Sequence, residues 1–344
     1  YGLLGIIYSG STYVPINNKF TDDKIIKIFI QTTIKTLVGD FKSLQKIKTA
    51  IIQSNVETII IPDEVIVNNN FFGNKIQIID QTMIDNLNSN EPLISSDNDL
   101  LYIMFTSGST GDPKGVKVTN KNQIEFQKNT GLFYDLEVGF KSSQAYDLSF
   151  DTSTVDTFFT WLNGGELCIL KELELLSPYD YIIRENLDTW NSVPTIGNFM
   201  LNMSLLQPNS FPSLRYSQFV GEQFSKKLAD AWQTAAPNST VENVYGPTEA
   251  TVNISRFLYS KEFKKQKFKN NILPIGRPFN EHKVAILNEN LSHVNEGCIG
   301  EIAFNGPQIS EGYLNDQKKT DTVFVSLPSD NSKGLWYLTG DLGF

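Results

Sequence analysis

Residues 100–119, LLYIMFTSGSTGDPKGVKVT, constrain the fold more than any other stretch of this 344-residue chain. The opening run is almost unbroken in its apolar character, the pattern of a strand buried on both faces rather than one that alternates. A loop of Gly, Ser and Thr follows it, then Pro113, Lys114 and Gly115, and then a strand end leading into the helical spacing of NKNQIEFQKNTGLFY. A loop of this kind can turn its N–H groups and hydroxyls inward around phosphate oxygens, with Lys114 adding a compact positive charge. It is not a Walker A loop, which requires Gly directly before the lysine and Ser or Thr directly after it. Composition alone fits a flexible surface linker as well. The same tetrapeptide, SGST, stands at 9–12, but there it runs on into YVPIN with no second glycine and no lysine.

Around this stretch, short runs rich in Ile, Val and Phe alternate with longer helical ones. TLVGDF and ETIIIPD read as buried strands, and SKKLADAWQTAA as a helix with Ser225 as N-cap and Pro237 beyond its end. That alternation predicts an α/β fold with mostly parallel sheets. From about residue 272 the pattern changes: KVAILNEN, GEIAFNG and LWYLTGD are strands separated by Asn, Gly and Glu turns, which predicts an antiparallel, barrel-like element. The expected division is therefore an α/β core over 1–271 and a barrel-like β element over 272–344. The basic run at 261–271 reads as a solvated loop.

A net charge of −9 argues against a nucleic-acid binder, and no apolar run is long enough to cross a bilayer. Cys168 and Cys298 stand far apart without a CxxC, which suggests a reduced, cytoplasmic setting and buried, inert thiols. His282 and His293 fall into no zinc-ligand spacing with another His or with a Cys pair, and no G-x-S-x-G elbow occurs, so hydrolytic and metalloenzyme readings are weak.

Further segments stand in order along the chain. YSGSTYVPIN (8–17) comes first, then the loop at 106–115, then NVYGPTEAT (243–251), GEIAFNGPQISEGYLND (300–316) and YLTGDLG (337–343). In this order and spacing the chain resembles the adenylate-forming enzymes, and most closely the amino-acid adenylation domains of nonribosomal peptide synthetases. The first SGST then reads as a structural strand-and-turn element and the second as the phosphate loop.

The resemblance implies roles residue by residue. Thr106, Ser107, Gly108, Ser109, Thr110, Gly111 and Lys114 would hold the pyrophosphate end of ATP. Tyr245 would stack on the adenine, with Asn243 near its exocyclic amine, and Gly246 would belong to the same nucleotide-binding set. Thr248 would contact the α-phosphate, Glu249 would bind Mg²⁺, and Asp341 would hold the ribose hydroxyls. Lys114, Thr248 and Glu249 are thus the expected catalytic groups. Asp151, in YDLSFDTSTVDTFF, would pair with the substrate α-ammonium. Thr152, Val155, Asn191, Gln218, Val220, Val244, Val252 and Asn253 would line a pocket for a neutral side chain. Val220 stands where the family usually has a glycine, which narrows that pocket.

The same resemblance implies a further C-terminal subdomain carrying a lysine at the reacting phosphate, so the chain reads as a fragment of limited activity. It also implies a partner carrier domain whose phosphopantetheine thiol receives the activated amino acid. A stand-alone D-alanine–carrier protein ligase and a catalytically inactive scaffold of the same fold are the alternatives.

Overall fold

The computed structural model describes residues 2–64, 70–88, 90–107, 112–327 and 334–344. It contains two compact units, one formed by 1–120 with 311–320 and the other by 121–310 with 321–344. The boundary expected at 271/272 falls inside the second unit.

In the first unit, β1 (Thr36–Val38), β2 (Thr58–Ile61) and β3 (Gln77–Asp80) form a parallel sheet. The helix Asp22–Thr32 buries Ile25, Ile28 and Phe29, and its N-cap Thr21 accepts from the Lys24 N–H. Beside this layer, β4 (Leu100–Ser107) and β5 (Pro113–Thr119) pair antiparallel. The apolar run LLYIMF is therefore one arm of a hairpin and not a strand of a parallel sheet. Its burial comes partly from residues 311–314, which run along β5: Lys117 N–H donates to Gly312 O, and Leu314 N–H to Gly115 O. Gly115 is required by packing, because a Cβ there would lie 2.9 Å from Ile103 and Phe105 side-chain carbons.

The first SGST forms a turn after the helix Gly2–Tyr8, with Gly10 at φ 70°. Beyond it Tyr13 bridges to Tyr102, and the Thr12 hydroxyl donates to Leu100 O at 2.9 Å. The element preceding this turn is a helix, so the expected strand is reduced to that single bridge.

Among the described residues, the second unit carries a seven-stranded sheet and a four-stranded one. The larger holds β6 (Lys141–Gln144), β7 (Glu166–Ile169), β8 (Thr189–Ser192), β9 (Tyr216–Phe219) and β10 (Thr240–Tyr245), all parallel. β11 (Ser255–Tyr259) and β12 (Arg277–Pro278) continue it antiparallel. Helices Pro194–Asn202 and Lys226–Ala235 cover one face, the latter capped by Ser225 accepting from the Leu228 N–H at 3.2 Å. Trp190 of β8 stacks on Trp232 of that helix at 6.3 Å between ring centroids. The basic run 261–271 is mostly exposed, yet Phe263 and Phe268 anchor it to this core.

The smaller sheet comprises β13 (Lys283–Leu287), β14 (Gly300–Asn305), β15 (Phe324–Val325) and β16 (Trp336–Gly343), all antiparallel. This is the barrel-like element expected from residue 272 onward. Its Ile302 and Phe304 pack on Ala250 and Ile254, so it shares a core with the segment after β10. Cys168 is buried as expected, and burial pushes its thiol up to about 11. Cys298 is exposed, because it precedes β14 in a turn instead of lying in the strand.

Candidate active site

The parallel strands of the second unit end their carboxyl termini together, the edge at which open α/β sheets gather ligand-binding groups. Three of them place side chains in one row: Asn191 of β8 is register partner of Gln218 of β9, and Gln218 of Glu242 of β10. Past the end of β10 the chain forms a loop closed by the Ile254 N–H donating to Tyr245 O at 2.8 Å. Gly246 is obligatory in this loop, since a Cβ would stand 2.0 Å from Val252 O. Thr251 and Val252 take φ of 55° and 71°, a left-handed conformation that is costly for two β-branched residues in succession.

A buried glutamine that no motif singles out holds this loop in place. Gln308 donates to Asn253 O at 2.9 Å and to Thr251 O at 3.3 Å, and its own backbone carbonyl accepts from the Thr251 hydroxyl. It lies in the quoted segment GEIAFNGPQISEGYLND, but a glutamine in a turn carries no signal of this role.

Asp151 faces the loop. Its side chain is nearly sealed, and Oδ2 has no hydrogen-bond partner among the described residues. Burial pushes its carboxyl up to about 6, the Glu249 charge adding to the rise, while the Thr248 hydroxyl and the N–H groups of Thr152 and Val252 oppose it. Asp151, Thr152, Thr248, Glu249 and Val252 are thus brought together. Asn253 is buried beside them with Oδ1 unpartnered among the described residues.

Tyr245 and Asp341 are joined directly, the tyrosine hydroxyl donating to Asp341 Oδ2 at 2.5 Å. Asp341 sits on an irregularity inside β16, where Glu301 faces Leu342 and Ala303 faces Leu338. Gly340 there adopts φ 78°, and its N–H is held by Glu301 Oε1 at 2.8 Å. The extra residues turn the aspartate out of the ladder to reach the tyrosine. Asn243 has its amide N–H groups on Pro274 O at 2.8 Å and Leu273 O at 3.3 Å.

Of the expected pocket residues, Val155, Asn191 and Gln218 line one narrow cavity, together with Tyr134, Phe159 and Tyr216. Val155 and Val252 also meet in one apolar cluster with Phe126 and Phe279. Val220 and Val244 are buried at the ends of β9 and β10 and do not reach that cavity wall. Behind the wall lie two acids absent from the expected set. Asp156, on a π-helical turn (Val155–Phe159), accepts from Asn191 Nδ2 at 3.0 Å and from the N–H of Ala145 at 3.1 Å. Glu242 accepts from the Tyr134 hydroxyl at 2.9 Å and faces Arg256 at 3.6 Å. The amides of Asn191 and Gln218 donate to these groups and to Tyr134. Both N–H groups of the Gln218 amide are thus engaged, and one of the two on Asn191.

In the first unit, Thr106 and Lys114 are register partners in the β4–β5 hairpin, as are Ser107 and Pro113. The Lys114 ammonium lies 5.7 Å from the centre of the Tyr313 ring. Gly108, Ser109, Thr110 and Gly111 lie outside the described residues. Among the described residues no cluster of three or more His, Cys, Asp or Glu could hold a metal, and none of the helices is long and apolar enough to cross a membrane. Burial lowers the basicity of His282, and the contact of its Nδ1 with Asn280 O at 2.8 Å opposes that shift only in part.

The sequence model of the family described as AMP-binding enzyme matches residues 1–314. A D-alanine–D-alanyl carrier protein ligase of Bacillus cytotoxicus is 26% identical over 99% of this chain and 63% of its own length. The Vibrio cholerae adenylation domain AlmE, solved with glycyl-adenosine-5'-phosphate, superposes with a TM-score of 0.85 at 29% identity, over 99% of this chain and 64% of that one. The nonribosomal peptide synthetase FmoA3 shares the fold, with a TM-score of 0.80 at 19% identity over 99% of this chain and 34% of that one. The chain spans less than two thirds of the length of each of these relatives. With the family match covering most of its residues, the chain belongs to the AMP-binding enzymes, the superfamily of adenylate-forming proteins.

Proposed function

We propose that this chain is the ATP- and amino-acid-binding part of a ligase that activates an α-amino acid. The substrate carboxylate attacks the α-phosphorus of ATP, the bond to the β-phosphate oxygen breaks, and aminoacyl-AMP and pyrophosphate result. The observation that supports this most directly is Asp151, a nearly sealed carboxylate with one oxygen unpartnered among the described residues. A buried carboxylate left this way is unfavourable until a cation meets it, and a substrate α-ammonium is such a cation. Thr248 beside it would contact the α-phosphate, and Tyr245 and Asp341 would take the adenine and the ribose. Lys114 with the loop at 106–111 would take the pyrophosphate end. Little covalent chemistry falls to the protein, so the rate rests on positioning and charge stabilisation.

Glu249 offers one hard oxygen donor, which suits a Mg²⁺ ion that draws its other ligands from phosphate and water. That ion would supply neutralisation of phosphate charge. The partner in a second step is a carrier protein whose phosphopantetheine thiol takes the amino acid from AMP. Of the two settings open from sequence, the D-alanyl carrier protein ligase relative supports the stand-alone carrier ligase over a synthetase module. Both that relative and the glycyl-adenylate complex concern small neutral amino acids, in keeping with the narrow cavity. A cytoplasmic location, where ATP is plentiful, belongs to the same reading.

The test is pyrophosphate exchange with the intact protein, comparing alanine and glycine with propionate and acetate. Exchange is expected only with the compounds that carry an α-amino group. Equal exchange with propionate would overturn the role given to Asp151.

A further inference from the structure

Tyr134 lies in no motif of the sequence, yet it lines the cavity that Val155, Asn191 and Gln218 share. The space left there is about 10 Å³, room for a single water. The ring is clamped along its length. Phe159 and Tyr216 meet it edge to face, at centroid distances of 5.4 and 4.7 Å. Tyr216 is itself fixed by accepting from the Asp135 N–H at 3.0 Å. At the tip, the Tyr134 hydroxyl donates to Glu242 Oε2 at 2.9 Å and accepts from the Gln218 amide. Glu242 is wholly buried and braced from behind by Arg256, whose guanidinium lies 3.3 Å from the centre of the Phe133 ring. A side chain held by two aromatic edges and a buried carboxylate cannot swing aside to admit a longer substrate.

We propose that Tyr134 is a specificity-determining residue, whose ring closes the far end of the amino-acid side-chain pocket and restricts it to glycine, alanine and similarly small groups. This rests on the activation reading above and extends it, since it assigns the depth of the pocket to a residue outside the expected set. The stop is steric, so discrimination should follow side-chain length. Each excess methylene group has to displace a ring that its surroundings hold. The hydroxyl serves to keep the ring across the pocket and does not touch the substrate.

The experiment is pyrophosphate exchange with the intact protein across glycine, alanine, serine, valine, leucine, methionine and phenylalanine. Wild type is compared with Tyr134→Ala and Tyr134→Phe. Wild type should favour the small side chains. Tyr134→Ala should raise the ratio of kcat/KM for leucine to that for alanine by about tenfold or more, while Tyr134→Phe should change it by less than about threefold. A folded, active Tyr134→Ala protein with an unchanged ratio would overturn the proposal. So would a wild type that prefers phenylalanine, and this outcome is read without any variant. If Tyr134→Ala does not fold, Tyr134→Leu, which shortens the side chain but keeps apolar packing, is judged by the same ratio. A wild type that exchanges with no amino acid overturns the activation reading, and this assignment with it. Exchange with the wrong size class overturns this assignment alone.

Discussion

Asp151 and Asp156 stand on neighbouring turns of one segment and are both buried, at 8% and 0% exposure, but the protein treats them differently. Asp156, behind the cavity wall through Asn191, is the floor of the pocket proposed above. Both of its oxygens accept hydrogen bonds, from Asn191 on one side and from the N–H groups of Ala145 and Tyr146 on the other. Asp151, which faces the loop after β10, is the mouth in that proposal; its Oδ2 has no partner among the described residues and the Glu249 charge adds to the cost of ionisation. Burial raises both carboxyls, to about 6 at Asp151 and about 7 at Asp156. What separates them is whether the fold has already supplied the partner. A buried acid with both oxygens paired serves the structure, and one with an open oxygen can serve a ligand, the role proposed for Asp151.

Substitution can break this contrast, and the largest effect is expected at the mouth. Asp151→Asn keeps the shape and removes the charge. It should lower kcat/KM for the amino acid by about 100-fold or more in pyrophosphate exchange, the cost of leaving a buried ammonium unpaired. The stability of the ligand-free protein should stay level or rise, because an uncompensated buried charge has gone. A large loss of stability with normal activity would show that the mouth and floor have been assigned the wrong way round.

At the floor the pattern should reverse. Asp156→Ala leaves the Asn191 amide and two backbone N–H groups unpaired, and should cost about 2–4 kcal/mol in chemical denaturation. Asp156→Asn should cost less and should reveal the titration. Because the folded chain holds this proton to about 7, above the ordinary carboxylate value, the folded state binds more protons than the unfolded one between those limits. Stability from this group is therefore complete in acid and is lost as pH rises through about 7. The wild type should accordingly lose stability between pH 4 and pH 7 with a slope that Asp156→Asn flattens. An unchanged slope in that variant would move the titration to another group.

The smallest effect tests the nucleotide side of the mouth. Tyr245→Phe removes the hydroxyl that donates to Asp341 but keeps the ring. It should raise the KM for ATP about three- to fivefold, in line with one hydrogen bond of about 1 kcal/mol, and leave kcat nearly unchanged. No change in KM would mean that Asp341 needs no help in keeping its orientation.

By itself the sequence was sufficient wherever the signal is local. The unbroken LLYIMFTS run, the Ser225 cap and the change of pattern after residue 272 each fix an element through backbone propensity and hydrophobic period. The ordered motifs around Lys114, Tyr245, Glu249 and Asp341 were enough to identify the family. Tertiary structure alone decided what lies across from what. The register of β8, β9 and β10 sets Asn191, Gln218 and Glu242 in one row, and brings Tyr134 to its end from a distant part of the chain. It likewise turned LLYIMFTS into a hairpin arm, exposed Cys298, and made Gln308 the support of the loop behind Asp151. A buried polar side chain has no period and no neighbouring signal in sequence, because its partner is chosen by strand register and packing, and those exist only once the chain has folded.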